Sequence, residues 1–134
     1  MIAIVDTGGA NLASIINALL RLGHKSQVTL SAEDVRRASH VILPGVGAAP
    51  KAGERLSTND LSQTLRQLKT PVLGICLGMQ MLFDRSQEGD TQGLGIIPGS
   101  VDLLKPQGLS VPHMGWNAVS RTSQKESLLL KGID

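Results

Sequence analysis

Val72-Leu73-Gly74-Ile75-Cys76-Leu77-Gly78-Met79-Gln80 reads as a short apolar strand, a tight turn carrying a cysteine, and the first turn of an apolar helix. Gly74 and Gly78 stand two residues either side of Cys76, giving Gly-x-Cys-x-Gly. This is the spacing of a nucleophile elbow with sulfur in place of the serine oxygen. A strand that turns sharply into a helix forces its central residue into a strained backbone conformation. The flanking positions must then be small, because strand and helix pass close together. Cys76 is expected to be held clear of the sheet at a helix start, where unpaired N–H groups favour thiolate. A single cysteine in an apolar run is more often a buried small hydrophobe, and glycines after a strand are often plain turn residues. The two glycines at these offsets, between strand and helix, favour the nucleophile.

Working outward, Ile2-Ala3-Ile4-Val5 is a continuous apolar run ending in Asp6 and a Gly-rich turn, the pattern of a parallel strand buried on both faces. Asn11 is suited to cap a helix that carries Leu12, Ile15, Ile16, Leu19 and Leu22 at helical spacing and stops at Gly23. Gln27 to Leu30 reads as a weaker strand, and Ser31-Ala32-Glu33-Asp34 as a helix start. Val41-Ile42-Leu43 is the next strand, ended by Pro44-Gly45-Val46-Gly47. Leu61, Leu65 and Leu68 mark another helix, capped by Thr58 or Asn59, and Thr70-Pro71 breaks it and feeds the central strand into the cysteine turn.

Beyond the turn, Leu77, Met81, Leu82 and Phe83 predict one continuing helix, and residues 86–95 a surface loop. Short strands are expected around Ile96-Ile97, Val101-Leu104 and Asn117-Ser120, added antiparallel at the sheet edge because no long helix separates them. The order predicts an α/β fold with a mostly parallel, flavodoxin-like sheet, helices on its faces and antiparallel edge strands, in a single domain over 1–134. Active sites in such sheets lie at the carboxyl ends of strands. The Asp6 to Asn11 loop, the Pro44 to Gly47 loop and Cys76 all fall on that rim.

The composition narrows the function. Over 134 residues, 41% are apolar and 18% charged, enough to fold around one core. Phe83 and Trp116 are the only aromatics, so the core is aliphatic and no stacking platform for single-stranded nucleic acid exists. A net charge of +2 without a basic run gives no nucleic-acid or membrane footprint. With one cysteine there is no internal disulfide, and no secretory signal or membrane-spanning run is seen, which fits a reducing cytoplasmic compartment. Neither Thr7 to Asn11 nor Gly45 to Pro50 keeps the dinucleotide spacing, which argues against a dinucleotide site. No cofactor is expected, and no metal.

Thiolate attack on a carbonyl leaves a negative oxygen that needs donors. An elbow supplies the N–H of the residue after the nucleophile, here Leu77, and Gly45-Val46-Gly47 is the best source of a second. A base and an acid are also required. His24 follows a helix end and His40 precedes a strand, which puts both at the wrong end of the sheet. His113, in Pro112-His113-Met114-Gly115-Trp116-Asn117, is the local candidate, and a structural or partner-facing role fits it equally well.

These residues resemble the class I (triad) glutamine amidotransferases. Residues 74–80 match that family's nucleophile motif and Pro44-Gly45-Val46-Gly47 its oxyanion loop. Within the family the chain is similar to the glutaminase subunits of imidazole glycerol phosphate synthase in histidine biosynthesis. Residues 6–14 (Asp-Thr-Gly-Gly-Ala-Asn-Leu-Ala-Ser), methionine at position 79, and residues 112–117 narrow the match. The resemblance implies hydrolysis of L-glutamine to glutamate and ammonia, with the ammonia passed to a (β/α)8-barrel cyclase subunit in a heterodimer. It implies Cys76 as nucleophile and the N–H groups of Leu77 and Val46 as oxyanion donors. Gly45, Gly47 and Gln80 would hold the glutamine, and Asn11, Met114 and Trp116 would lie near the cyclase. The chain departs from the pattern in having no His-x-Glu motif, which the family carries near its C-terminus. The expectation is therefore a C-terminally incomplete domain with little turnover of its own. Two rivals are another cysteine hydrolase of related fold using Cys76 and His113, and a non-catalytic partner-binding module in which Cys76 only packs.

Overall fold

The computed structural model describes residues 1–8, 11–106, 108, 111–120 and 127–132, except the side chain of Asn59. Two compact units are distinguished, Met1–Leu103 and Leu104–Asp134. In the first, four parallel strands form one sheet: β1 (Ile2–Val5), β2 (Ser26–Thr29), β3 (His40–Leu43) and β4 (Val72–Gly74), in the order β2-β1-β3-β4. The register pairs Ile2 with Ser26 on one side and with His40 on the other, and Val41 with Val72. β1 and β3 lie inside the sheet, and Ala3, Ile4, Val5, Val41, Ile42 and Leu43 are all buried, as continuous apolar runs require. β4 is not central. It is the outer strand of this sheet among the described residues, and Leu73 is exposed.

Two helix starts match their sequence signals. Asn11 Oδ1 accepts the N–H of Ser14 at the head of α1 (Leu12–Arg21), and Ser31 Oγ accepts the N–H of Asp34 at the head of α2 (Ala32–Arg37). Gly23, at φ +78, follows α1. A helix the periodicity did not reveal, α3 (Ala49–Leu56), follows the Pro44–Gly47 loop. Pro50 sits in its first turn, where a missing N–H costs nothing. Ala49, Ala52 and Leu56 bury its inner face. A 3-10 turn (Thr58–Asp60) leads into α4 (Leu61–Gln67). The expected Thr58 cap is not made: its hydroxyl donates to Arg55 O at 2.6 Å, and Asp60, at φ 58, occupies the cap position. The Asn59 alternative lies outside the described residues. The aliphatic core joins Val5, Val35, Leu43, Leu56, Leu61 and Leu65 with Leu77, Met81, Leu82 and Leu94.

The helix after the cysteine turn is shorter than predicted. α5 covers only Leu77–Gln80, and β5 (Phe83–Ser86) follows at once. The carbonyls of Met81 and Leu82 accept the N–H groups of Leu94, Ile96 and Ile97 at 2.7–2.9 Å, so they cannot propagate a helix. The stretch read as a loop contains β6 (Thr91–Gln92), antiparallel to β5. β7 (Ile97–Val101) replaces the two short strands expected there and runs parallel to β5. The antiparallel pair therefore belongs to a separate three-stranded sheet, β6-β5-β7, and not to the edge of the parallel one.

In the second unit, Asn117–Ser120 forms no strand, and Leu128–Leu130 makes a 3-10 turn. Its bulky apolar side chains Met114, Trp116, Val119 and Leu128 are exposed, so apolar character there does not signal a buried strand.

Candidate functional site

The ladder between β3 and β4 runs to the edge of the cysteine turn, where the Ile75 N–H donates to Leu43 O at 3.0 Å. The chain then reverses at Cys76, whose φ of 55° and ψ of −121° lie in a region that non-glycine residues rarely occupy. Helical bonds begin immediately, from Gln80 N–H to Cys76 O at 3.1 Å and from Met81 N–H to Leu77 O at 2.9 Å. Both glycines are explained by crowding. A Cβ on Gly74 would lie 2.5 Å from Met79 Cα, and one on Gly78 would collide with the carbonyl of Leu43. Cys76 is exposed and free, so the alternative of a buried packing cysteine does not apply. As the first helical residue, Leu77 presents an N–H with no carbonyl partner within α5.

The Pro44–Gly47 loop lies directly against this turn. Pro44 and Gly45 are buried, and a Cβ on Gly45 would fall 2.7 Å from Gly78 N and 2.9 Å from Leu77 Cβ. Val46 and Gly47 emerge from that contact exposed, with Gly47 at φ +91 and open space around it. The sheet order makes β1 and β3 neighbours, so the loop after β1 meets the same segment. Thr7 Oγ1 donates to Pro44 O at 2.7 Å, Gly8 N–H donates to Asp6 Oδ1 at 2.9 Å, and Arg55 Nη2 stands 3.5 Å from Asp6 Oδ2. Between these loops and α3 is a cavity of about 340 Å3, lined by Thr7, Gly8, Val46, Gly47, Lys51 and Arg55 among others. It opens where the strand order reverses, the usual ligand position in such sheets. Cys76 is not among its lining residues. Lys51 and Arg55 carry no signal in the sequence, which placed only the Asp6 to Asn11 loop, and with it Thr7, on this rim.

Of the other candidates, Gln80 is half-buried on α5 and Asn11 is exposed and engaged as a helix cap. Gly9 and Ala10 of the N-terminal motif lie outside the described residues. His24 and His40 line a cavity of about 420 Å3 with Met1 and Ser39, at the amino ends of the strands and so opposite the cysteine rim. In the second unit, His113 Nε2 lies 2.6 Å from Asn117 Nδ2, both side chains being exposed, and Trp116 is fully exposed beside Met114. No cluster of three or more metal-ligating side chains occurs among the described residues. None of their helices is long and apolar enough to cross a membrane.

The family model for glutamine amidotransferase class-I matches residues 3–133. The chain is 50% identical over 133 residues to a protein of Xanthomonas euvesicatoria pv. vesicatoria (strain 85-10) named "Imidazole glycerol phosphate synthase subunit HisH", covering 98% of this chain and 66% of that protein. It is also 50% identical over 135 residues to "Imidazole glycerol phosphate synthase subunit HisH 2" of Legionella pneumophila (strain Paris), 67% of whose length is covered. The chain thus spans about two thirds of the length of these relatives. A solved structure described as a glutamine amidotransferase superposes with a TM-score of 0.66 at 20% identity, over 75% of this chain and 55% of that one, a likeness of fold.

Proposed function

The chain belongs to the class-I glutamine amidotransferases, and from that membership we propose that it carries the nucleophile and oxyanion elements of a glutaminase serving imidazole glycerol phosphate synthesis. The observation that carries the reading is the exposed Cys76 at φ 55°, with the Pro44–Gly47 loop packed against its turn. The Cys76 thiolate attacks the side-chain carboxamide carbon of L-glutamine, forming the C–S bond and moving the π pair onto oxygen. The N–H groups of Leu77 and Val46 receive that charge, while Gly45, Gly47 and Gln80 hold the substrate. Once its nitrogen is protonated, the intermediate expels ammonia and leaves a γ-glutamyl thioester, which water hydrolyses to glutamate.

The proton transfers need an imidazole with an orienting carboxylate, and the 134 residues contain no His-x-Glu pair. The domain reading over 1–134 accordingly assigns the acid–base half to residues outside this sequence. The 134-residue chain by itself is expected to release glutamate at little more than the background rate, and robust release would contradict the assignment. The partner is a (β/α)8-barrel cyclase, approached by Asn11, Met114 and Trp116, in the cytoplasm, where a lone cysteine stays reduced. Cyclase binding raises the fraction of chains in which the Gly45–Val46 N–H faces the oxyanion, through a rotation of that peptide that glycine permits. Equal acylation of Cys76 with and without the cyclase and its ligand would sink that coupling.

The direct test is labelling with a chloromethyl ketone analogue of glutamine. One equivalent should attach to Cys76, L-glutamine should protect, and the Cys76→Ser chain should stay unlabelled. Labelling indifferent to glutamine would favour a different cysteine hydrolase. No labelling would favour a binding module in which the thiol is inert.

A further inference from the structure

We infer that Thr7 is a positioning residue for the oxyanion site, acting through the carbonyl of Pro44; the inference rests on the glutaminase reading and adds to it a residue to which that reading gives no role. Thr7 is 4% exposed, although it sits in a polar loop between Asp6 and Gly8. Its hydroxyl donates to Pro44 O at 2.7 Å across 37 residues of sequence. Pro44 is itself fully buried.

The consequence follows from peptide geometry. The Pro44 carbonyl and the Gly45 N–H share one rigid plane. Fixing the carbonyl fixes the plane from which the next peptide, Gly45–Val46, departs. That next peptide carries the N–H assigned to the oxyanion. On its other face Gly45 is held by Leu77 and Gly78. The loop is therefore held from two sides: by the cysteine turn through contact, and by Thr7 through a directional hydrogen bond. Thr7 is in turn set by its own loop, where its N–H donates to Val5 O at 3.0 Å and Gly8 N–H to Asp6 Oδ1 at 2.9 Å. Arg55 braces the far carboxylate oxygen of Asp6 at 3.5 Å. Valine in place of threonine preserves shape and leaves the buried Pro44 carbonyl without its donor. The carbonyl then turns to find another, and the Val46 N–H moves with it. Threonine is required there for its hydroxyl and not for its bulk, so serine should serve.

The test compares two reactions of the single thiol. p-Nitrophenyl acetate acylates it through a tetrahedral oxyanion: the C–S bond forms, the π pair moves to oxygen, and p-nitrophenolate leaves as the C–O bond breaks. Iodoacetamide alkylates the same sulfur by direct displacement of iodide, with no oxyanion. Rates are measured on the full 134-residue chain, with the Cys76→Ser chain as the background for other nucleophiles. Thr7→Val should lower the acylation rate about tenfold, a modest share of the loss seen when an oxyanion donor is removed outright. Alkylation should stay within about twofold and Thr7→Ser should hold acylation within about threefold of the parent, as expected when only the donor's aim has changed. An unchanged acylation rate in Thr7→Val overturns the inference, as does a parallel fall in both reactions, which would report altered folding or access. If the parent shows no acylation above the Cys76→Ser background, the glutaminase reading fails and this inference fails with it. A parent that acylates while Thr7→Val is unaffected removes only the role of Thr7.

Discussion

A Cβ placed on Gly78 would sit far inside van der Waals contact distance of the Leu43 carbonyl oxygen. Helix α5 therefore starts in contact with the end of β3, with no room for a side chain between them. The neighbour is backbone, already engaged by the Ile75 N–H, so it cannot rotate away as a side-chain tip would. Gly78→Ala should force the cysteine turn off the sheet and cost about 3 kcal/mol or more, as severe core overpacking does. Urea unfolding of the variant against the parent measures this. Iodoacetamide reactivity of Cys76 should change in the same variant, because the turn that presents the thiol has moved.

Burial separates two leucines that sequence periodicity treats alike. Leu19 belongs to the apolar stripe of α1, yet no residue of that helix is buried. Leu61, at the start of α4, is fully buried in the common core. Leu61→Ala should cost about 3 kcal/mol through lost transfer energy and a cavity, whereas Leu19→Ala should cost about 1 kcal/mol, since part of its surface already meets water. Chemical denaturation of both variants decides it. Equal losses would mean that α1 is packed more tightly than its exposure indicates.

The parallel core was legible because its strands are unbroken aliphatic runs, and the elbow because a crowded strand-to-helix turn demands glycine at just those two offsets from the cysteine. Ile2–Val5, Val41–Leu43 and Val72–Gly74 each carried their own signal. The continuation beyond Gln80 did not. Met81, Leu82 and Phe83 suit a helix by local pattern, and only hydrogen bonds from the distant Leu94, Ile96 and Ile97 end it. Helix α3 was hidden by Pro50 and Gly53, residues that elsewhere argue for a loop. At the site, the turn, its flanking loop and the place of the Asp6 to Asn11 loop on the same rim were readable, but the bond from Thr7 to Pro44 O and the approach of Arg55 depend on strand order and packing, which spacing along the chain does not encode.

Arg66 links α4 to the turn that closes the second sheet. Its Nε donates to Leu94 O at 2.9 Å and its Nη2 to Gly93 O at 3.3 Å. Gly93 and Leu94 are buried, and their backbone conducts the chain from β6 back past Met81 and Phe83. Arg66→Met keeps the aliphatic stem and removes the donors from both carbonyls. The expected loss is about 1–2 kcal/mol, that of charge-assisted bonds to partly buried acceptors. Amide hydrogen exchange should localise the effect: Leu94 and Ile96 should lose protection while Ile4 and Ile42 in the parallel sheet keep theirs. Uniform loss across both sheets would show that Arg66 supports the whole core and not this turn.

Gly45 and Gly47 lie one residue either side of Val46, but their surroundings differ in kind. At Gly45 the obstacle is contact, since a Cβ would meet Gly78 N at 2.7 Å and Leu77 Cβ at 2.9 Å. At Gly47 the space is open and only φ, at +91°, resists a side chain. Gly45→Ala should therefore push the loop away from the cysteine turn, lowering both stability and the acylation of Cys76 by p-nitrophenyl acetate, the latter about 10-fold to 100-fold as an oxyanion donor moves out of range. Gly47→Ala should cost about 1 kcal/mol of backbone strain, the ordinary penalty for a side chain in that region, with the contact between loop and turn preserved. Its acylation rate should consequently fall less than that of Gly45→Ala. The ratio of acylation to iodoacetamide alkylation, measured on both variants, isolates the oxyanion contribution from simple exposure of the thiol. A Gly47→Ala chain that loses acylation as completely as Gly45→Ala would show that loop orientation, and not its seat on Leu77 and Gly78, controls the site.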